Sequence, residues 1–348
     1  MKAINLARLK NKSKIIPLII LIVVIAVVLT ALPYGVNARR TSAELPQSSF
    51  DERGFADRLH FMSFEGTDCV LIESNNRFAL FYGAAVLDTE KQDTTSKISI
   101  ADYLKLRASD DKGKVLLDYL ICADSASDKI EGLAKLIKNT QIYAKNVYFK
   151  TLDFGSDKPL DEKAETAKEL YYRVYEAILD KNTPISEIGD EELSLGDYRL
   201  KIIDTAGENA GKFGGDNGSL NVLVKKGDLA VFLAGNIHRR DMRRLKEKTG
   251  QVQLYKAPFG SGAKHFPRGF AKKLSPDYII FSDKAPAFPP NLIWKLVMTA
   301  GGALYGVNRE GGIVADLSEN KVKLCKIGTI AKVADSSVSL APEPTAAS

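Results

Sequence analysis

Three stretches of the chain carry residue types that could do chemistry. The segment Cys122–Lys129 places a thiol, two hydroxyls (Ser125, Ser127) and two carboxylates (Asp124, Asp128) within eight positions. A serine or cysteine hydrolase needs such a nucleophile beside a base. No Gly-x-Ser-x-Gly elbow is present, and no histidine is close in sequence. The second and third stretches are basic: Arg239, Arg240, Arg243 and Arg244 in one, and Lys264, Arg268, Lys272 and Lys273 in the other. Clustered Lys and Arg act mainly through phosphate contacts, so these are candidate anion-binding residues for DNA, wall polymers or phospholipid headgroups. The alternative is a solvated basic face. The histidines are His60, His238 and His265. His60 lies in an apolar run and reads as structural.

The elements that would position these residues follow from periodicity. Leu59–Met62, Cys69–Glu73 and Arg77–Tyr82 read as strands of an antiparallel meander, with an Asn75-Asn76 turn and Gly83 as terminator. Leu116–Cys122 is an apolar run suited to a strand buried on both faces, flanked by helical spacing over Ile98–Leu106 and Ile130–Lys138. Val147–Leu152 reads as a strand, and Asp161–Leu179 as a long helix with acids early and bases later. In the second half, Tyr198–Ile203, Ser219–Lys225, Leu229–Ala234, Leu254–Ala257 and Tyr278–Ser282 read as strands. Arg239–Lys248 and Pro290–Ala300 read as helices, and Gly312–Leu317 with Lys321–Ile327 as a closing hairpin. Interleaved strands and helices predict an α/β fold, a four-layer αββα sandwich of two mixed β-sheets.

The N-terminus points to a membrane. Residues 1–14 hold five basic residues and no acid, and Ile15–Leu32 is free of charge. At helical rise that run covers about 27 Å, close to the hydrocarbon thickness. The basic flank predicts a cytoplasmic N-terminus. The expected organisation is a basic tail (1–14), a transmembrane helix (15–33), a linker (34–57), an extracytoplasmic domain (58–332) and a disordered tail (333–348). A signal peptide cleaved after Ala38 is the competing reading. The net charge of +6 resides in the first forty residues, which carry seven Lys plus Arg and no acid. The remainder is nearly balanced, so global charge gives no argument for a polyanion partner. Three cysteines, Cys69, Cys122 and Cys325, suggest buried free thiols, with one bridge at most.

In order and wording, three segments resemble the metallo-β-lactamase superfamily, in particular the hydrolase domain of competence proteins found with DNA-uptake channels (ComEC-like). The opening His60–Glu73 follows that family's strand, polar loop and strand pattern. Asp124, Ala126, Asp128 and Lys129 fall where the family has His-x-His-x-Asp-His after a buried strand. Asn236, after Val231–Gly235, falls where a metal-bridging Asp is expected, and Phe259 in Lys256–Gly262 where a His-His turn is expected. The resemblance implies zinc ligands, yet here they are replaced by an acid, a methyl, an ammonium and an amide, and only Asp128 keeps its family identity. The expectation is therefore a non-catalytic, membrane-anchored binding or scaffolding module without a cofactor, with a membrane or envelope protein as partner. The alternative is a divergent zinc-dependent hydrolase of phosphoester-type bonds, with a site rebuilt from Asp124, Asp128, His238 and His265.

Overall fold

The structure is a computed structural model. It describes residues 45–46, 56–62, 67–85, 99–125, 130–155, 161–189, 192–207, 211, 218–237, 245, 247–258, 270, 273–282 and 302–327. The segment expected to span the membrane, 15–33, lies outside these residues. Among the described residues no helix is long and apolar enough to cross a membrane.

Two seven-stranded mixed sheets face each other. The first half of the chain forms β1 (Asp57–Met62), β2 (Thr67–Ser74), β3 (Arg77–Ala85), β4 (Leu116–Cys122) and β5 (Tyr143–Tyr148). The second forms β6 (Glu192–Leu195), β7 (Tyr198–Asp204), β8 (Leu220–Lys226), β9 (Leu229–Leu233), β10 (Leu254–Lys256), β11 (Tyr278–Phe281) and β12 (Ala303–Gly306). The chain then returns to the first sheet as the hairpin β13 (Ile313–Asp316) and β14 (Lys323–Lys326), with β13 beside β1. Strand order is β14-β13-β1-β2-β3-β4-β5 in one sheet and β12-β11-β10-β9-β8-β7-β6 in the other. β3, β4 and β5 run parallel, as do β9 to β12.

Alternation along each strand divides the core. Inward positions such as Phe61, Val70, Ile72 and Phe81 meet Val222, Val224, Leu254 and Ile280 from the opposite sheet. Outward positions of the first sheet, Leu71, Leu80 and Leu120 among them, pack under α1 (Ile100–Ala108), α2 (Glu131–Thr140) and α3 (Glu162–Leu179). The outer face of the second sheet, including Phe232 and Tyr255, is covered by Leu245, Phe270 and Leu274. A one-turn helix, α4 (Val307–Glu310), follows β12. Two mixed sheets with apolar cover on both outer faces fit the expected sandwich of two mixed sheets.

Several expectations need correction. Gly83 does not end β3, which continues to Ala85. Gly83 is needed inside the strand because a Cβ there would stand 2.5 Å from Asp68 Oδ2. β5 occupies Tyr143–Tyr148 rather than Val147–Leu152. Its edge is partly taken up by 184–186, with Val147 N donating to Pro184 O and Ser186 N to Val147 O. β6 and β12 were not anticipated. The last turn of α3 carries no base. Within the stretch read as linker, Leu45 is buried in the inter-sheet core, Pro46 O accepts from Lys326 N at 2.9 Å, and Asp57 already belongs to β1.

Candidate functional site

The parallel strands β3, β4, β9, β10 and β11 bring their C-terminal ends to one rim of the sandwich, where loop residues of both sheets converge. Asp124 lies just past β4 and Asn236 just past β9. Asn236 Nδ2 donates to Asp124 Oδ2 at 3.0 Å. The amide nitrogen, and not its oxygen, must face the carboxylate, since two acceptors would repel. Nearby, the Ala123 carbonyl accepts from Leu220 N at 2.8 Å, a backbone bond between the two sheets.

Asn221 on β8 sets the turn that delivers Asn236. Its side chain is fully buried, donates to Ile203 O and Ser219 O, and accepts from Gly235 N at 2.9 Å. Gly235 has no room for a side chain: a Cβ would lie 2.3 Å from Leu220 O and 3.0 Å from the Ala123 methyl. Tight backbone packing thus forces the loops after β4 and β9 together.

Beneath this rim the inward row turns from apolar to charged. Going toward the rim, Val70 gives way to Asp68, Leu254 to Lys256 and Ile280 to Ser282. Lys256 Nζ donates to Asp68 Oδ2 and, at 3.2 Å, to Ala234 O; Ser282 Oγ donates to Asp68 Oδ1 at 2.5 Å. Lys256 is 0% exposed and Asp68 1%. The ammonium also lies 5.8 Å from the Phe81 ring centroid. A second ion pair, Lys150 to Asp204, joins the sheets at the same end. Sequence reasoning assigned none of Asp68, Asn221, Lys256 and Ser282 a role. For Asp68, Lys256 and Ser282 the signal is the break in inward apolar alternation at the strand end, whereas Asn221 stands on the outward row of β8 beside Leu223.

Of the expected site positions, Asp124 and Asn236 are described, and the structure brings them together. Ala126, Asp128, Lys129, Phe259, His238, His265, Arg239, Arg240, Arg243, Arg244, Lys264 and Arg268 lie outside the described residues. Among the described residues, no three His, Cys, Asp or Glu side chains gather as a metal-binding group. The described donors do not fit a metal pair. Asp124 already accepts from an amide N–H, Asp68 and Asp204 are each paired with a lysine, and the amide at the bridging position brings no negative charge.

Of the candidate nucleophiles, Cys122 and Ser125 are described and Ser127 lies outside the described residues. Cys122 is buried, and burial pushes its thiol far above the usual range, which leaves no thiolate at neutral pH. Ser125 Oγ is buried and has no hydrogen-bond partner among the described residues, so none of them acts on it as a base. All three cysteines are free. His60 is structural, as expected. Its Nε2–H donates to Glu73 Oε2 at 2.8 Å, its Nδ1 accepts from the Tyr103 hydroxyl at 2.7 Å, and Arg107 Nη2 donates to both Glu73 oxygens at 2.7 and 2.8 Å. This network sits under α1 on the outer face of the first sheet.

No family model matches the chain, and no curated protein matches it. Among solved structures, the chain is similar to the metallo-beta-lactamase fold protein YhfI from Bacillus subtilis, with 13% identity over 74% of this chain and 98% of that one, TM-score 0.44. It is also similar to the Rm3 metallo-beta-lactamase, with 13% identity over 71% and 81% of the two chains, TM-score 0.32. A diphosphatase of the PhnP family gives 10% identity over 62% and 72%, TM-score 0.31. At these identities and TM-scores the likeness says nothing about activity, which has to be judged from the residues at the rim.

Proposed function

We propose that this chain is a membrane-anchored, extracytoplasmic and non-catalytic module of the metallo-β-lactamase type, akin to the competence-protein hydrolase domain and used as a binding or scaffolding platform. The observation that carries this reading is the Asn236 amide donating to Asp124. At the two described positions where the resemblance implies a ligand and a metal bridge, the chain supplies a donor–acceptor pair satisfied within itself. The same holds below the rim, where Lys256 and Ser282 engage both oxygens of Asp68. Without a metal-bound water or a Lewis acid, the family's hydrolytic route is not open, and a fold by itself does not imply activity.

The anchor and the location outside the cytoplasm are supported by the charge-free run Ile15–Leu32 behind a basic flank. The partner class that suits such a platform is a membrane or envelope protein. The near balance of charge beyond residue 40 gives polyanions no general attraction.

Elemental analysis of the purified full-length chain tests the reading. The expected result is far less than one equivalent of zinc, iron or manganese per chain. Near-stoichiometric metal that is lost on Asp128→Ala would overturn it in favour of a divergent phosphoester hydrolase.

A further inference from the structure

The inter-sheet core is closed at both ends by the same arrangement of an Asp from the first sheet, a Lys from the second and a Ser. At the end away from the rim, Lys226 Nζ donates to Asp57 Oδ2 and Ser74 Oγ to Asp57 Oδ1, each at 2.5 Å, and Lys226 also reaches Leu317 O at 3.0 Å. There the Lys226 side chain is 14% exposed, so water can take over if the pair is broken. At the rim end the partners of the Lys256 ammonium are Asp68 Oδ2, Ala234 O and the Phe81 face, and the Lys256 and Asp68 side chains are 0% and 1% exposed. A carboxylate so far from water needs a positive charge beside it.

We propose that Asp68, Ser282, the Ala234 carbonyl and the Phe81 ring form a cation cage between the sheets, filled by the chain's own Lys256 ammonium, and that this cage takes a small primary alkylammonium ion once that side chain is cut back. The chemistry of the walls selects that class. One carboxylate supplies one negative charge, Ser282 already donates to it, a carbonyl adds a single neutral acceptor, and an aromatic face favours a soft monovalent cation. The Gly83 backbone closes the wall beside Asp68, since any Cβ there would collide with the carboxylate. The rim end of the fold is thereby held shut by an internal charge and needs no ion from solution. This inference stands apart from the non-catalytic reading, because it concerns cohesion of the sheets and not turnover.

The test is thermal unfolding of the full-length Lys256→Ala chain with n-propylammonium, which reproduces the missing Cγ–Nζ portion. The midpoint is expected to fall on truncation and to recover by roughly 3–6 °C at ten times the dissociation constant of the added ion. n-Propanol, and tetramethylammonium at equal ionic strength, should not reproduce the recovery. Neither the wild type nor Lys226→Ala should respond. If Lys256→Ala responds no more to n-propylammonium than to n-propanol, the proposal is overturned. Should that variant fail to fold, Lys256→Met and the double variant Asp68→Asn/Lys256→Met decide: the double variant is expected to melt well above the Lys256→Met single variant. Equal melting of the two would also overturn the cage.

Discussion

Replacing Glu73 by Ala removes the centre of the His60–Glu73–Arg107 network and leaves a guanidinium without its counter-charge. Arg107 and Glu73 have side chains 6% and 2% exposed, so neither is rescued by solvent. Breaking one partner out of a buried pair costs about 3–5 kcal/mol, most of it the penalty of the orphaned charge. For a domain of this size each kcal/mol lowers the melting midpoint by about 2–4 °C, giving an expected drop of about 6–20 °C. Glu73→Gln should cost less. Its amide oxygen still accepts from Arg107, and its N–H can donate to His60 Nε2 if the ring switches tautomer and donates from Nδ1 to Tyr103. Circular dichroism melts of the two variants provide the assay. A Glu73→Ala loss below about 1 kcal/mol, or a Gln variant weaker than the Ala one, would refute a tightly paired charge under α1.

Acid should weaken the same network in two stages. Burial lowers the His60 pKa below its ordinary 6.5, so the fold favours the neutral ring. Its contribution is complete above pH 6.5 and is lost as pH falls from there toward the folded value. Burial opposes the charge on Glu73, but the His60 and Arg107 hydrogen bonds and charges together hold its carboxyl below the usual 4.5, so its contribution fades at lower pH still. In denaturant titrations at a series of pH values, His60→Gln is expected to flatten the upper stage and leave the lower one. At the rim, Gly235→Ala forces a Cβ against Leu220 O and should cost about 1–3 kcal/mol in urea unfolding, with displacement of Asn236 from Asp124 visible in a crystal structure. Cys69 and Cys122 should resist a maleimide until the chain is denatured. Cys325, half-buried with its thiol pushed up to about 11, should react slowly and faster in alkali.

The parts of the fold legible in the sequence are those whose local pattern and tertiary role agree. Leu116–Cys122 emerges at its expected boundaries because both its neighbours are parallel and its run is apolar but for Asp118, whose charge is met by Arg77 and Lys145. The ends of α1 and α3 carry their own signals. Ser99 Oγ accepts from Asp102 N and Asp161 Oδ1 from Ala164 N, each satisfying a free N–H of the first turn. β6 is four residues, of which Leu195 alone is fully buried, and β12 ends at a glycine that opens a helix, so neither has the length for a period to show. β5 is misplaced because its middle, Ala144-Lys145-Asn146, is polar at an edge, while the apolar run after it leaves the sheet. The contact of Asp124 with Asn236 joins positions 112 apart, which no local pattern links. The pairing of Asp68 with Lys256 spans 188 positions, a separation at which no local pattern speaks. What the strands do disclose is the place where each inward row becomes polar, and three such places coincide at the rim.

The decisive measurement is hydrolysis of an activated phosphodiester and of a chromogenic lactam by the full-length chain, with and without added zinc or manganese and a chelator. A rim whose Asp124 is taken up by the Asn236 amide should give no turnover above buffer and no response to metal or chelator. Turnover that rises with zinc or manganese and is abolished by the chelator would contradict the non-catalytic reading.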